Sequence, residues 1–197
     1  MQIRDARPED WPAVWAFAQP VVASGEHFVW ESDTPEEVLR AFWIEREAPS
    51  SALVAVIEDR ADMDRAGESS ADMDRAGEGS TGQDGPGASG SSGGRVAGIA
   101  AIQPNHAGRG SHIANAGFMV DPAVRGQGVG RTLGEAALAR ARADGFTAMQ
   151  FNAVVATNTP AVDLWHSLGF RTLAVLPGTF RHPVQGLVGM HLMFREL

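Results

Sequence analysis

The chain has 197 residues, enough for one domain with a sizeable core, and its 44% hydrophobic and 20% charged content suits a globular protein. It contains no cysteine and no tyrosine, which excludes disulfides, thiolate metal sites, a cysteine nucleophile and a phenolic acid. The net charge of −8 argues against a nucleic-acid partner; the polar N-terminus and the lack of a long apolar run predict a cytoplasmic protein with no membrane partner.

Gln2 to Arg7 reads as a first strand. Pro8-Glu-Asp-Trp-Pro opens a helix carrying Trp11, Val14, Trp15 and Phe17. Thr34-Pro-Glu-Glu opens a second helix, with Thr34 as N-cap, a proline in the first turn and early acids. Ser51 to Glu58 is an apolar strand. The composition then changes. Residues 59–94 hold nine Gly and six Ser and contain a near-perfect tandem repeat, Ala61-Asp-Met-Asp-Arg-Ala-Gly-Glu-Ser-Ser70 followed by Ala71-Asp-Met-Asp-Arg-Ala-Gly-Glu-Gly-Ser80. So little apolar surface cannot offset the entropy of ordering, which predicts a disordered surface insertion. Its eight acids against three arginines account for most of the net charge, so the acidity says little about the folded core.

Arg95 to Gln103 returns beside Ser51–Glu58 as a hairpin with an overgrown turn. Ser111 to Val120 is an apolar strand, closed by Asp121-Pro122. Helical patterns follow over Thr132–Asp144, with Val129, Leu133, Ala136, Ala137 and Ala141 on one face, and from Thr159, with Ala161, Leu164, Trp165 and Leu168 on one stripe. Gly145 and Gly169 end these helices. Between them Thr147 to Ala153 is a strand, and two last strands lie near Arg171–Leu176 and Leu187–Arg195. This order predicts an α/β or α+β domain with a mixed sheet of six to seven strands and about four helices.

Val124-Arg-Gly-Gln-Gly-Val-Gly-Arg131 stands between the Ser111–Val120 strand and the helix after it. Strand, glycine loop and helix present free N–H groups to an anion, and Arg125 adds a fixed positive charge. A diphosphate is the expected ligand. The chain has no lysine, so this is no Walker loop, and the glycine spacing is wrong for a dinucleotide fingerprint.

Arg125-x-x-Gly128-x-Gly130 resembles the acetyl-CoA loop of the GCN5-related N-acetyltransferases. Gly117-Phe-Met-Val120 and Asn158-Thr-Pro-Ala-Val-Asp-Leu-Trp-His-Ser-Leu-Gly-Phe170 resemble two further segments of that superfamily, in order. The resemblance implies one acetyltransferase domain over 1–197 interrupted by the 59–94 insertion, with a sheet splayed at the acetyl-CoA site. It implies acetyl-CoA as cosubstrate, no metal, a small-molecule amine as partner and a homodimer as candidate assembly. Arg125, Gln127, Gly128, Val129, Gly130 and Arg131 would hold the diphosphate, and Met119 and Val120 would pair with the pantetheine arm.

Gly110-Ser-His-Ile-Ala-Asn-Ala-Gly-Phe-Met-Val120, Met149-Gln-Phe-Asn-Ala-Val-Val-Ala-Thr-Asn158 and Leu176-Pro-Gly-Thr-Phe-Arg-His-Pro183 resemble a narrower branch, the L-azetidine-2-carboxylate N-acetyltransferases. That branch implies that Asn115 and Phe118 line the acceptor pocket and that Asn152 binds the acceptor. It places Asn158 near the cofactor and the reacting centre. Trp165 stands where many acetyltransferases have a tyrosine that protonates the departing thiolate, so that role is vacant.

Without a cysteine, an acetyl-cysteine intermediate is impossible and direct attack by the amine is expected. The amine must lose a proton, for which Glu26, His27 and His112 are candidates; His166 reads as solvent-facing and His182 as structural. Two other readings remain open: a primary-amine acceptor such as a peptide N-terminus, polyamine or antibiotic, and a catalytically silent acyl-CoA sensor.

Overall fold

A computed structural model describes residues 1–58 and 94–197 of the chain. Seven strands form one sheet in the order β1-β2-β3-β4-β5-β7-β6. They are β1 (Gln2–Asp5), β2 (Ser51–Glu58), β3 (Gly94–Pro104), β4 (Ile113–Val120), β5 (Ala148–Val155), β6 (Arg171–His182) and β7 (Gly186–Glu196). Among the described residues there are four α-helices: α1 (Trp11–Ala23), α2 (Glu36–Trp43), α3 (Val129–Ala143) and α4 (Thr159–Ser167). Every strand pair is antiparallel except β4–β5. This is the expected mixed α/β sheet, and β2 and β3 form the expected hairpin. The insertion read over 59–94 lies, apart from Gly94, outside the described residues.

The sheet is covered on both faces, so its central strands are apolar on both. On one face α1 and α2 bury Trp11, Val14, Phe17, Leu39 and Trp43 against Ile99, Ala101 and Met119. The Trp11 indole donates 2.7 Å to the Glu36 carboxylate and ties the two helices together. On the other face α3 and α4 bury Leu133, Ala137, Ala141 and Trp165 against Phe151, Phe170 and Met193. Gly134 is the contact point between those helices. A Cβ there would lie 2.6 Å from Leu168 and 3.2 Å from Trp165, so the glycine's helix cost is offset by close packing.

Several boundaries differ from the sequence reading. Thr34 does not cap α2, because its hydroxyl donates to the Glu31 carbonyl and Pro35 takes the N-cap position. α3 starts at Val129 rather than Thr132, so the end of the glycine loop is already helical. α4 starts at Thr159 as read, and Asn158 caps it by accepting from the Ala161 N–H at 3.4 Å. β6 continues through Pro177-Gly178 to His182, where a loop was expected, because β7 pairs along both of its halves around an irregularity between Leu176 and Phe180.

Candidate functional site

β4 and β5 share only two register pairs, Ile113↔Ala148 and Ala114↔Met149. Beyond them β4 stays with β3 as far as Val120, while β5 pairs with β7. The sheet therefore opens into a wedge whose apex lies at Ala114 and Met149. Its mouth lies at Val120, directly before the glycine loop.

Strand alternation fixes which backbone groups face the wedge. Asp121 N–H donates to Ala97 O, and Asn105 N–H donates to Ile113 O, at opposite ends of the β3–β4 ladder. Odd-numbered residues of β4 thus turn their peptide groups to β3. The peptide groups of Ala116, Phe118 and Val120 turn to the wedge. Met119, expected to pair with the pantetheine arm, is turned away: its backbone faces β3 and its side chain is 3% exposed in the α1–α2 core. The odd-even alternation that could have shown this is present in the sequence, but the ladder's phase is not.

The loop after β4 is shaped by its glycines. Gly126 and Gly128 have φ of 79° and 80°, a conformation that side chains resist. Gly128 is the N-cap of α3, and the first carbonyl-bonded amide after it is that of Thr132. The N–H groups of Val129, Gly130 and Arg131 have no partner within the helix. Together with the helix dipole they form an anion-binding end. Arg125 and Gln127 are exposed beside it. The Arg131 guanidinium is held elsewhere, 2.8 Å from Ser167 Oγ and 3.7 Å from Glu135. Only its backbone is turned to the loop's task.

Asn115 and Asn152 face the α1–α2 side of the sheet. Asn115 is in phase with Gly117, whose missing Cβ would touch Trp43 at 3.2 Å. Asn152 alternates with Phe151, which is buried on the α3–α4 side. Its amide donates 2.6 Å to Asn105 Oδ1 and accepts 2.8 Å from Gln150. Phe118 lies on the opposite face from Asn115, with its ring centroid 4.6 Å from Trp165 and 5.9 Å from Phe151. The sheet thus separates Phe118 from Asn115 and Asn152. Trp165 is buried on Gly134 and offers no acid.

Glu26 is brought to a different place. With His27, Ser24, Pro20, Val21, Pro122 and Arg125 it lines a hollow of about 160 Å³ between the end of α1 and the glycine loop. His27 is held below the usual histidine range, mainly by burial, with Arg125 adding to the effect against the Glu26 carboxylate. Its Nδ1 is buried without a hydrogen-bond partner. His112 stands beyond the apex end of β4, roughly 25 Å along the strand from Val120, with Nδ1 3.2 Å from the Arg109 carbonyl. His182 is buried, and its Nδ1 accepts from the N–H groups of Val184 and Gln185. It shapes the β6–β7 turn. His166 is exposed on α4, 3.0 Å from Thr172 Oγ1.

Sequence reasoning missed a group on the α1–α2 face. Arg46 Nη1 donates 2.5 Å to Gln103 Oε1, and Gln103 stands across the ladder from Asn115. In the sequence Arg46 belongs to the charged run Glu45-Arg-Glu47 and resembles solvated surface. The one available signal was Phe42 four residues earlier, over whose ring the guanidinium lies at 4.5 Å. No helix among the described residues is long and apolar enough to cross a membrane.

Comparison with known proteins bears on the same elements. The sequence profile of the acetyltransferase (GNAT) family matches residues 53–170, more than half of the chain. A GCN5-related N-acetyltransferase from Kribbella flavida is 38% identical, with 100% of this chain and 97% of that one covered, at a TM-score of 0.78. N-acetyltransferase aca1 of Schizosaccharomyces pombe is 44% identical over 75 residues. That match spans 38% of this chain and 36% of the yeast protein, about a third of the relative's length. A GNAT superfamily phosphinothricin acetyltransferase from Sinorhizobium meliloti, solved in complex with AcCoA, shares the fold at 18% identity and a TM-score of 0.70, over 100% of this chain and 88% of that one.

Proposed function

The chain belongs to the acetyltransferase (GNAT) family, and from that premise we propose that it transfers the acetyl group of acetyl-CoA to the nitrogen of a small-molecule amine. The acceptor class is a cyclic secondary amine of the proline-analogue kind. The protein acts as one domain over 1–197, with residues 59–94 inserted between β2 and β3. The observation that carries the reading is the two-pair contact between β4 and β5, which opens beside a helix end rich in unbonded N–H groups.

The residues present suit acetyl-CoA. Its diphosphate is matched by the N–H groups of Gly128, Val129, Gly130 and Arg131, with Arg125 and Gln127 beside them. The free peptide groups of Phe118 and Val120 offer strand-like bonds to a pantetheine amide and an N–H to the thioester oxygen. The acetyl end then lies toward the apex, near Asn115 and Asn152. Phe118 walls the wedge from the α4 side, where the cap residue Asn158 opens the helix.

The amine nitrogen attacks the thioester carbonyl carbon directly, forming the C–N bond as the C–S bond breaks. The amine must lose its proton as it attacks; Glu26 and His27 line the hollow beside the glycine loop, at the other end of the wedge from Asn115 and Asn152, so the proton reaches either of them only through water. Asn152 orients the acceptor by a hydrogen bond, a positioning role that lowers the entropy of reaching the attack geometry. The thiolate leaves without a phenolic acid, since Trp165 occupies that place.

Thiol release from acetyl-CoA, measured against cyclic secondary amines, primary amines, a polyamine and a peptide N-terminus, tests this. Release that depends on a cyclic secondary amine is expected. Release with primary amines alone would move the acceptor class. Acetyl-CoA binding with no release for any amine would make the protein an acyl-CoA sensor.

A further inference from the structure

Four side-chain nitrogens among the described residues are buried without a hydrogen-bond partner, and three of them lie within one short stretch: Trp43 Nε1, Arg46 Nε and Arg46 Nη2. Trp43 is fully buried at the end of α2. The Arg46 guanidinium is fixed from two sides, by Gln103 at Nη1 and by the Phe42 ring beneath it. Among the described residues it has no ion-pair partner. Burial pushes its pKa down to about 10. A cation in that position is costly unless something compensates it, and a long arginine side chain is free to swing into water when nothing holds it.

All three orphaned groups are donors. A group that satisfies the two on Arg46 offers oxygen lone pairs only, and a negative charge would also neutralise the cation. Nε and Nη2 form one edge of the guanidinium, and that edge matches the two oxygens of a carboxylate. The edge is also in the right part of the fold. Gln103 faces Asn115 across the β3–β4 ladder, and Asn115 is the first residue of β4 beyond its last pair with β5. Asn152, Asn105 and Gln150 share this face.

We propose that the Nε–Nη2 edge of Arg46 is a subsite for the acceptor's carboxylate, so that the acceptor is an amino acid rather than a simple amine. This rests on the acetyl-acceptor reading above and adds the chemical class of the group beside the reacting nitrogen. Charge recognition at the apex also gives the acidic protein a way to draw an anionic acceptor inward.

The test compares matched acceptors with the full chain: L-azetidine-2-carboxylate against azetidine, L-proline against pyrrolidine, and L-alanine against ethylamine. Wild type is expected to favour the carboxylated member of at least one pair by about a hundredfold or more in kcat/KM. In Arg46→Met that ratio collapses to below about fivefold, while the Kd for acetyl-CoA stays within about twofold and the melting temperature does not fall. Arg46→Lys, which keeps the charge but loses the two-donor edge, is expected to lie between. A ratio unchanged in Arg46→Met, or a wild type that prefers the amines without a carboxylate, overturns the subsite while leaving the acetyltransferase reading intact. Should Arg46→Met fail to fold, Arg46→Lys decides: a ratio clearly below that of wild type supports the subsite, and an unchanged ratio overturns it. Should wild type acetylate none of the six, the acceptor reading fails, and calorimetric titration of L-azetidine-2-carboxylate in the presence of CoA decides the subsite. Binding weakened in Arg46→Lys supports it; binding unchanged in Arg46→Lys, or absent from wild type, overturns it.

Discussion

The two ends of the wedge are built from different materials. At the mouth, the glycine loop and the start of α3 present backbone N–H groups, and the side chains there are exposed or, like Arg131, engaged elsewhere. At the apex, the proposed acceptor recognition falls to side chains: Asn115, Asn152 with its bonds to Asn105 and Gln150, and the half-buried Arg46. A backbone site is written in glycine spacing and survives side-chain change. A side-chain site depends on which face each strand turns to the helices, and single substitutions can retune it.

The sharpest way to break that contrast is Gly128→Glu. It sets a carboxylate at the φ 80° N-cap of α3, where charge repels a diphosphate. Acetyl-CoA affinity by calorimetry should fall at least a hundredfold. Left-handed backbone strain of about 1–2 kcal/mol lowers the melting temperature by only a few degrees in a chain of this size. Asn152→Ala acts at the other end. A hydrogen bond to a charged or reacting group is worth roughly 1.5–3 kcal/mol, so kcat/KM for the acceptor should fall about ten- to a hundredfold while acetyl-CoA binding holds. Unfolding instead would reassign Asn152 to tying β5 to Asn105.

Smaller effects sharpen the same picture. Arg131→Ala removes a side chain that points to Ser167 and Glu135, so acetyl-CoA affinity should change by less than about threefold. A larger loss would show that the mouth uses side chains after all. His27 supplies a pH test. Its protonation is disfavoured in the fold, so the unfolded chain binds more protons below about pH 6.5, and stability falls as pH drops through that region. Urea midpoints measured from pH 5 to 8 should show a shallower acid loss in His27→Gln. The smallest effect is expected from deleting Asp62 to Ser92. Loop closure changes by only about 0.6 kcal/mol per halving of length, so turnover should be nearly unchanged; a large loss of activity would make the insertion part of the site.

These contrasts also explain what was legible in the sequence. The glycine loop was readable because Arg125, Gly128 and Gly130 encode a local backbone shape. The strands and α3 were readable from their apolar periods, as Leu133, Ala137 and Ala141 show. The phase of β4 was not readable, because Met119 and Val120 are equally apolar and only the β3 partner decides which peptide faces the wedge. Arg46 was hidden for a related reason. Its burial comes from Gln103 and Phe42, one of them 57 residues away, and no local pattern announces such a contact.

The central claim is that the mouth of the wedge binds acetyl-CoA through backbone amides. Hydrogen exchange with and without acetyl-CoA reads those amides directly. Slowed exchange is expected at Phe118 and Val120 and at Gly128 to Arg131, with little change at Met119, which is already bonded to β3. Exchange that stays the same at these positions while acetyl-CoA is bound would contradict the account.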